Sequence, residues 1–411
     1  MMWTADALAQ VMAGLQAGGA ALRSLPAEDL LAAWAGTVEA FLDPASEERR
    51  ALDPALARTC RLSPEGLDAG LAAVLGGVRG EPAAALFAAA VAGRPAPEEP
   101  VVVVLASNLP GLAVQPLLPA LALRRPVLLK SPSAEPLFAP ALVAALSRRA
   151  PRLGGALAAV DWPGGDVVLE APVLAAAGTV LAYGEASAIT DLERRAPGKV
   201  VGYGPKTSLA VVGAEVDPEE IAEGLARDIA LFDQRGCLSI AAIYTAGDSG
   251  ALASRLEDAL ADLARRWPPG PAEPAAVASV QQIRLEAEMR GLRPPGLPVS
   301  AGTVVIDPDP TFRPSPGLRT VRIHPLAELA RLHGVLVPWR GRLQGAALAG
   351  GEAWRLCPEL EAGLGISRCA APGALQAPDA RWHNGGIDPL EVLRRPGGST
   401  GPLPERSSRC G

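Results

Sequence analysis

From residue 1 to about residue 93 the chain repeats small apolar residues at helical spacing, and the pattern is cut at Pro26, Pro44, Pro54 and Pro64. Apolar positions recurring every three or four residues predict amphipathic helices, here four or five. Pro95 to Pro100 reads as a linker. Val101 to Ala106 is then a β-branched apolar run entering Ser107-Asn108-Leu109-Pro110-Gly111, which predicts a strand and a tight turn. Beyond it the pattern gives a helix over Val114 to Leu123, a strand over Pro126 to Lys130, a helix over Leu137 to Arg149, and strands near Val167 to Leu169 and Thr179 to Tyr183. Lys199 to Val212 reads as a strand with an internal glycine turn, Pro218 to Leu231 as a helix and Ile240 to Thr245 as a strand. A helix from Ser249 to Arg266 stops at Trp267-Pro268-Pro269-Gly270. Strands alternating with helices imply an α/β protein with a parallel sheet covered on both faces.

The composition narrows the class. Of 411 residues, 49% are hydrophobic and 20% charged, which is ordinary globular usage and leaves room for two or three domains. A net charge of -6 with scattered arginines gives no basic stripe, so nucleic acid is not an expected partner. Met1 to Leu15 carries Asp6 and no basic leader, so it reads as a helix rather than an export signal, and a cytoplasmic location is expected. Val101 to Leu123 is uncharged and long enough to span a bilayer. Asn108, Pro110, Gly111, Pro116 and Pro119 inside it would leave backbone groups unpaired in lipid, so a buried strand, turn and helix is expected and no membrane span. The five cysteines form no C-x-x-C pair and the three histidines are spread out, so no metal site or disulfide framework is expected.

Three local features carry chemistry. In Leu231-Phe232-Asp233-Gln234-Arg235-Gly236-Cys237-Leu238-Ser239 a cysteine follows a glycine in a turn between helix and strand. Such a cysteine is either a buried structural thiol or an exposed nucleophile. In the second case Arg235 would favour the thiolate and Gly236 would let a carbonyl approach the Cys237 N–H. Only three of 38 basic residues are lysines, Lys130, Lys199 and Lys206, and Lys130 closes a strand just before Ser131-Pro132-Ser133, at the sheet edge where ligands bind. Gly202-Tyr203-Gly204-Pro205-Lys206-Thr207 lacks the register of a phosphate loop, which excludes a nucleoside triphosphatase of that kind.

Taken in order, these segments resemble the aldehyde dehydrogenase superfamily, and within it the LuxC-like long-chain acyl-CoA reductases of bacterial luminescence systems. The Asn108 turn is similar to the turn that helps bind the oxyanion. Lys130 to Ser133 looks like the lysine turn that holds the cofactor ribose, and Tyr183-Gly184-Glu185-Ala186-Ser187 like the glycine turn opening a helix beside the pyrophosphate. Gly202 to Lys206, with Gly204, falls at the glycine-rich interdomain strand, and Phe232 to Ser239 at the nucleophile motif. Gly341 to Gln344, Gly365 to Gly373 and Trp382 to Gly386 extend the resemblance, which covers about Val101 to Leu393. His383, beside Trp382, is left outside the catalytic set.

The resemblance implies a Rossmann-type NAD(P)-binding α/β domain over 96–212 and an α/β catalytic domain over 213–390. An N-terminal helical segment, 1–95, packs on the first of these, and 391–411 forms a tail, loosely held from Gly398. It implies an acyl-CoA reductase that converts a long-chain acyl thioester to the aldehyde. Cys237 is the nucleophile, Asn108 the oxyanion ligand, and Lys130, Ser133, Gly184, Glu185 and Gly204 hold the cofactor. Gly202 stands where hydrolytic relatives carry a glutamate that activates water, which suits reduction of the acyl-cysteine. Ser133 stands where NAD-preferring relatives often carry a glutamate, which favours NADPH over NADH. The resemblance further implies a homo-oligomer, an acyl-CoA or acyl-protein donor and an acyl-protein synthetase as partner. An aldehyde oxidiser, an acyl-phosphate reductase and a non-catalytic scaffold are the alternatives.

Overall fold

The computed structural model describes residues 3–106, 109–293 and 295–395. They divide into two compact units, one of residues 3–60, 71–205 and 379–395, the other of 61–70 and 206–378.

The first unit is built on a five-stranded parallel sheet of β1 (Val101–Val104), β2 (Val127–Ser131), β3 (Leu157–Asp161), β4 (Thr179–Tyr183) and β5 (Lys199–Tyr203). The spatial order is β3-β2-β1-β4-β5. β2 is buried along its whole length, as its unbroken apolar run Val127 to Leu129 requires of a strand covered on both faces. Helices Val114–Ala122, Phe138–Arg149, Val167–Ala176 and Ala186–Arg195 are the crossovers. The chain builds from β1 outward to β3 and then returns to lay β4 on the other side of β1. That reversal opens a crevice at the carboxyl ends of β1 and β4.

Five helices precede the sheet: Ala5–Arg23, Ala27–Leu42, Glu47–Cys60, Pro64–Gly76 and Gly80–Ala92. Leu8, Met12 and Leu15 of the first pack into one core with Val102, Leu128, Val160 and Val180 of the sheet. Arg125, fully buried, ties three segments together: it donates to the carbonyls of Glu99 and Leu393 and to the Thr179 hydroxyl. Burial pulls this guanidinium down to about 10, with Glu99 opposing.

The second unit carries a six-stranded parallel sheet of β6 (Thr207–Val212), β7 (Ile240–Thr245), β8 (Thr303–Ile306), β9 (Thr320–Pro325), β10 (Leu343–Ala349) and β11 (Arg368–Ala370). Its order is β11-β10-β6-β7-β9-β8. The central strands β7 and β10 are buried at every position. Helix Pro218–Ala230 carries the chain from the end of β6 back to the start of β7, so the turn holding Cys237 lies at the amino edge of this sheet.

Several expectations need correction. Val167 to Leu169 opens a helix rather than a strand, because the Asp166 carboxylate caps it by accepting from Leu169 N; the strand of this region is β3. Lys199 to Val212 is two strands in two different sheets, so the compact units divide at 205/206 rather than 212/213. Residues 61–70 group with the second unit, and 379–395 return to the first. The expected tail begins as a docked helix, Pro389–Arg394, whose Arg394 donates to the carbonyls of Ala89, Ala90 and Arg94. Residues 396–411, including Gly398 and Cys410, lie outside the described residues. Val101 to Leu123 forms β1 and the helix Val114–Ala122, as its interior prolines require. Among the described residues no single helix is long and apolar enough to cross a membrane, while the bent pair Pro64–Gly76 and Gly80–Ala92 meets that test by length and composition.

Gly202 has a packing reason of its own. A Cβ built there would lie 2.4 Å from Ile189 Cγ2, so the helix Ala186–Arg195 rests directly on the bare backbone of β5. We expect Gly202→Ala to cost about 1–3 kcal/mol through overpacking. Thermal melts should show Ile189→Ala relieving that cost in the double variant; strictly additive losses would contradict the contact.

Candidate active site

Phe232, Asp233 and Gln234 are three consecutive residues in the left-handed region, with φ of 55°, 51° and 63°. None is glycine, and each such residue costs roughly 1–2 kcal/mol against the right-handed form. The turn is held by buried partners. The Gln234 amide donates to the carbonyls of Ile240 and Thr320 at 2.7 Å each and accepts from Thr320 N and Ser315 Oγ. The Asp233 carboxylate accepts from Arg319 Nε and Nη2 at 3.2 and 2.9 Å and from Gly270 N at 3.0 Å. The Phe232 ring occupies the space over Gly70, where a Cβ would meet it at 2.4 Å.

The anchored turn delivers Cys237. Its carbonyl accepts from the Ser208 hydroxyl at 2.8 Å, which fixes it against the start of β6. Leu238 packs beside β10, where Gly345 makes room: a Cβ there would lie 2.9 Å from Leu238 Cδ2 and 3.1 Å from Ser208 Oγ. Beneath, the Ser239 hydroxyl donates to Gln376 Oε1, and Gln376 donates to the Asp228 carbonyl. The Asp228 carboxylate gathers the N–H groups of Gly373, Leu375 and Gln376. Burial nevertheless pushes that carboxyl up to about 6.

The residue Cys237 is half-buried, and the packing around its sulfur pushes the thiol up to about 11. Three groups oppose that shift: the main-chain N–H groups of Cys237 and Leu238 and the ammonium of Lys206. Lys206 is itself pulled down by burial and held up by Cys237. Ser208 lies in β6 and Lys206 one residue before that strand, and both act on the cysteine turn, Ser208 through its hydrogen bond and Lys206 through its charge. Arg235 does not take the role expected of it. Its guanidinium donates to the carbonyls of Phe232 and Arg61 and lies 3.8 Å from Asp233, so it braces the turn instead.

The first unit places the cofactor candidates around the carboxyl ends of its strands. Lys130, 6% exposed, is the penultimate residue of β2, with Nζ 5.9 Å from the centroid of the Trp162 ring. Burial lowers its pKa, opposed by Glu170 and Asp161. Gly184 follows β4 with φ of 154°, a conformation side chains disfavour, and a Cβ there would meet nothing within 4 Å. Exposed Glu185 precedes the helix Ala186–Arg195 without a side-chain cap, which leaves the first N–H groups of that helix for another acceptor. Ser133 is exposed just past β2. Glu135, the nearest acid in sequence, is buried and accepts from Leu137 N and Phe138 N, so it is folded away from the edge. Gly204 follows β5 at the point where the chain leaves the first unit. Asn108 lies outside the described residues. His383 stands 3.7 Å from the Asp388 carboxylate.

The structure therefore groups Lys130, Ser133, Gly184 and Glu185 at one sheet edge and sets Cys237 in the other unit with Lys206 and Ser208. The last two were missed as site residues. The rarity of lysine already marks Lys206, but only the pairing of β6 with β7 shows what it faces.

A family model described as acyl-CoA reductase (LuxC) matches residues 93–396. A long-chain acyl-protein thioester reductase of Aliivibrio fischeri is 26% identical over 300 residues, 71% of this chain and 62% of that protein. Long-chain acyl-protein thioester reductase 2 of Photobacterium leiognathi is 30% identical over 151 residues, 35% of this chain and 31% of the relative. These matches thus span less than two thirds of either relative. Among solved structures, aldehyde dehydrogenase 21 from Physcomitrella patens, in complex with the reaction product succinate, superposes with a TM-score of 0.72 at 15% identity, covering 96% of this chain and 88% of that one. Glyceraldehyde-3-phosphate dehydrogenase GapN from Methanocaldococcus jannaschii, complexed with NADP, gives 0.68 at 12% identity, covering 96% and 93%.

The electrostatics of the thiol give a pH prediction. Only thiolate reacts, so alkylation of Cys237 by iodoacetamide should rise about tenfold per pH unit from neutrality until it levels near pH 11. Lys206→Met removes the cation that favours the thiolate. The thiol pKa then rises further, and the rate at pH 8 should fall several-fold, read by mass spectrometry of the Cys237 peptide. An unchanged rate would show that Lys206 does not act on the sulfur.

Proposed function

The chain belongs to the acyl-CoA reductase (LuxC) family and has the aldehyde dehydrogenase fold, and from that premise we propose that it reduces a long-chain fatty acyl thioester to the aldehyde with NADPH, through an acyl-cysteine on Cys237. The observation that carries this reading is a cysteine on a rigidly anchored turn, with two main-chain N–H groups and one ammonium acting on its sulfur.

Cys237 gives up its proton to solvent, and the Lys206 ammonium balances the thiolate. The sulfur attacks the thioester carbon, the carbonyl electrons move onto oxygen, and that oxyanion is received by the Cys237 N–H and the Asn108 amide. Collapse expels the donor thiolate and leaves acyl-cysteine. A reduced nicotinamide held by Lys130 and the helix after Gly184 would supply the hydride that takes the acyl carbon to the aldehyde level. The carbon–sulfur bond then breaks, aldehyde leaves and the Cys237 thiolate is regenerated.

The residues of the first unit fit such a cofactor. Lys130 would hold its ribose, and the uncapped helix after Gly184 and Glu185 would take the pyrophosphate. Gly204 supplies backbone without a side chain beside them. Ser133 brings no charge against a 2′-phosphate and Glu135 is turned away, which supports NADPH over NADH. No glutamate stands at Gly202 to activate water, and Ile189 fills the space one would need, which supports reduction rather than hydrolysis of the acyl-enzyme.

The names of the relatives favour an acyl-protein donor and the family description an acyl-CoA; both are thioesters meeting the same sulfur, and an acyl-activating partner that charges the donor protein is part of the proposal. The test is oxidation of NADPH, and separately of NADH, with acyl-CoA esters of increasing chain length and with an acylated carrier protein. We expect aldehyde as product, faster turnover with NADPH, and loss of all turnover in Cys237→Ala. Free acid as the main product, or turnover surviving in Cys237→Ala, would overturn the assignment.

A further inference from the structure

We propose that Cys357, Glu361 and Cys369 form a binding site for a thiophilic divalent cation, with Zn²⁺ the fitting class, in the second unit. The Sγ atoms of the two cysteines and a carboxylate oxygen of Glu361 all lie within 4.8 Å of one another. Cys357 opens the helix Cys357–Leu364 and Glu361 follows one turn later, so the two ligands stack on one face of that helix. Cys369 comes from β11, the three-residue edge strand, at the position paired with Ala346 of β10. The spacing of the cysteines along the chain gives no hint of this grouping, because one ligand is a carboxylate and the third comes from a strand.

The chemistry of the donors selects the ion. Two thiolates favour zinc and its relatives over magnesium or calcium, which prefer oxygen. Zinc–sulfur bonds of about 2.3 Å need sulfurs somewhat under 4 Å apart, against a present separation of at most 4.8 Å. Cys357 is buried against the core of Leu343, Ala346 and Leu360, while Glu361 and Cys369 are half-buried, so the cluster has a packed wall and an open side. The described residues supply three ligands, one fewer than a tetrahedral site holds. A cation here would staple the edge strand β11 to the helix, next to the segment whose N–H groups converge on Asp228 beneath the nucleophile turn. The role is structural, and it stands independently of the proposed reaction.

The test is titration of the full chain, purified under reducing conditions and stripped of metal, with Co²⁺ and then Zn²⁺. The expected result is one equivalent of Co²⁺ with thiolate-to-cobalt absorption in the near ultraviolet, displaced by Zn²⁺. Cys357→Ser and Cys369→Ser should each abolish that band, and Glu361→Gln should weaken binding about tenfold or more. Circular dichroism of each variant checks that it is folded. Zn²⁺ should also raise the melting temperature of the wild type and not of the Cys369→Ser chain. Absence of the band in the folded wild type, or its persistence in a Cys357→Ser, Cys369→Ser double variant, would overturn the site. A Cys357–Cys369 disulfide that excludes metal under these reducing conditions would overturn it equally.

Discussion

Three consecutive residues, Phe232 to Gln234, adopt a backbone conformation that side chains avoid, and the second unit is arranged to keep them there. Phe232, Asp233 and Gln234 run left-handed in succession, which costs several kcal/mol in total by the usual penalty of roughly 1–2 kcal/mol per residue. The compensation is buried and polar. Gln234 engages both edges of the gap between β7 and β9 through its amide, and Asp233 neutralises Arg319, which is only 2% exposed. A buried ion pair of this kind is weak evidence for net stability, yet removing one partner leaves the other charge stranded. The pair therefore fixes a conformation more than it adds stability. What it fixes is the direction in which the chain leaves the turn, and Cys237 is three residues further on.

Once that direction is set, the remaining parts of the nucleophile site follow from the parallel sheet. The return of the chain to the amino edge of β7 puts Cys237 beside the first residues of β6, where Ser208 holds its carbonyl and Lys206 supplies positive charge. Gly345 on β10 clears the space that Leu238 and Ser208 need. Burial raises this thiol, and one lysine and two main-chain amides act against that rise. The first unit uses its sheet in the opposite sense. Its candidate ligands, Lys130, Gly184 and Glu185, gather at the carboxyl edge, where the strand order reverses and a helix start lies uncapped.

Much of this was legible in the sequence, for identifiable reasons. Apolar β-branched runs such as Val101 to Val104 have no alternative to a buried strand, and Asp-Pro at 217 and 218 announces the helix that follows. Cys237 stands out because it sits in a short turn beside a clear strand, and Lys130 because it is one of three lysines and lies near the end of one. Other features could not be read. Val167 to Leu169 has strand composition, and only the cap from Asp166 turns it into a helix. The split of Lys199 to Val212 between two sheets depends on which strand each half pairs with, a non-local fact. The left-handed turn is invisible because none of its residues is glycine, and the hydrogen-bond partners of Asp233 and Gln234 lie up to 86 residues away. Arg235 was read from proximity in sequence, whereas its side chain turns back to carbonyls of Phe232 and Arg61.

The central claim is that this turn presents Cys237 as the nucleophile for an acyl group. The most direct measurement is the mass of the intact protein after brief incubation with a long-chain acyl-CoA and no nicotinamide, followed by proteolytic mapping. The account predicts one added acyl group, located on the peptide containing Cys237 and released by hydroxylamine as a thioester. An unmodified chain, or an acyl group carried by Cys60, Cys357 or Cys369 instead, would contradict it.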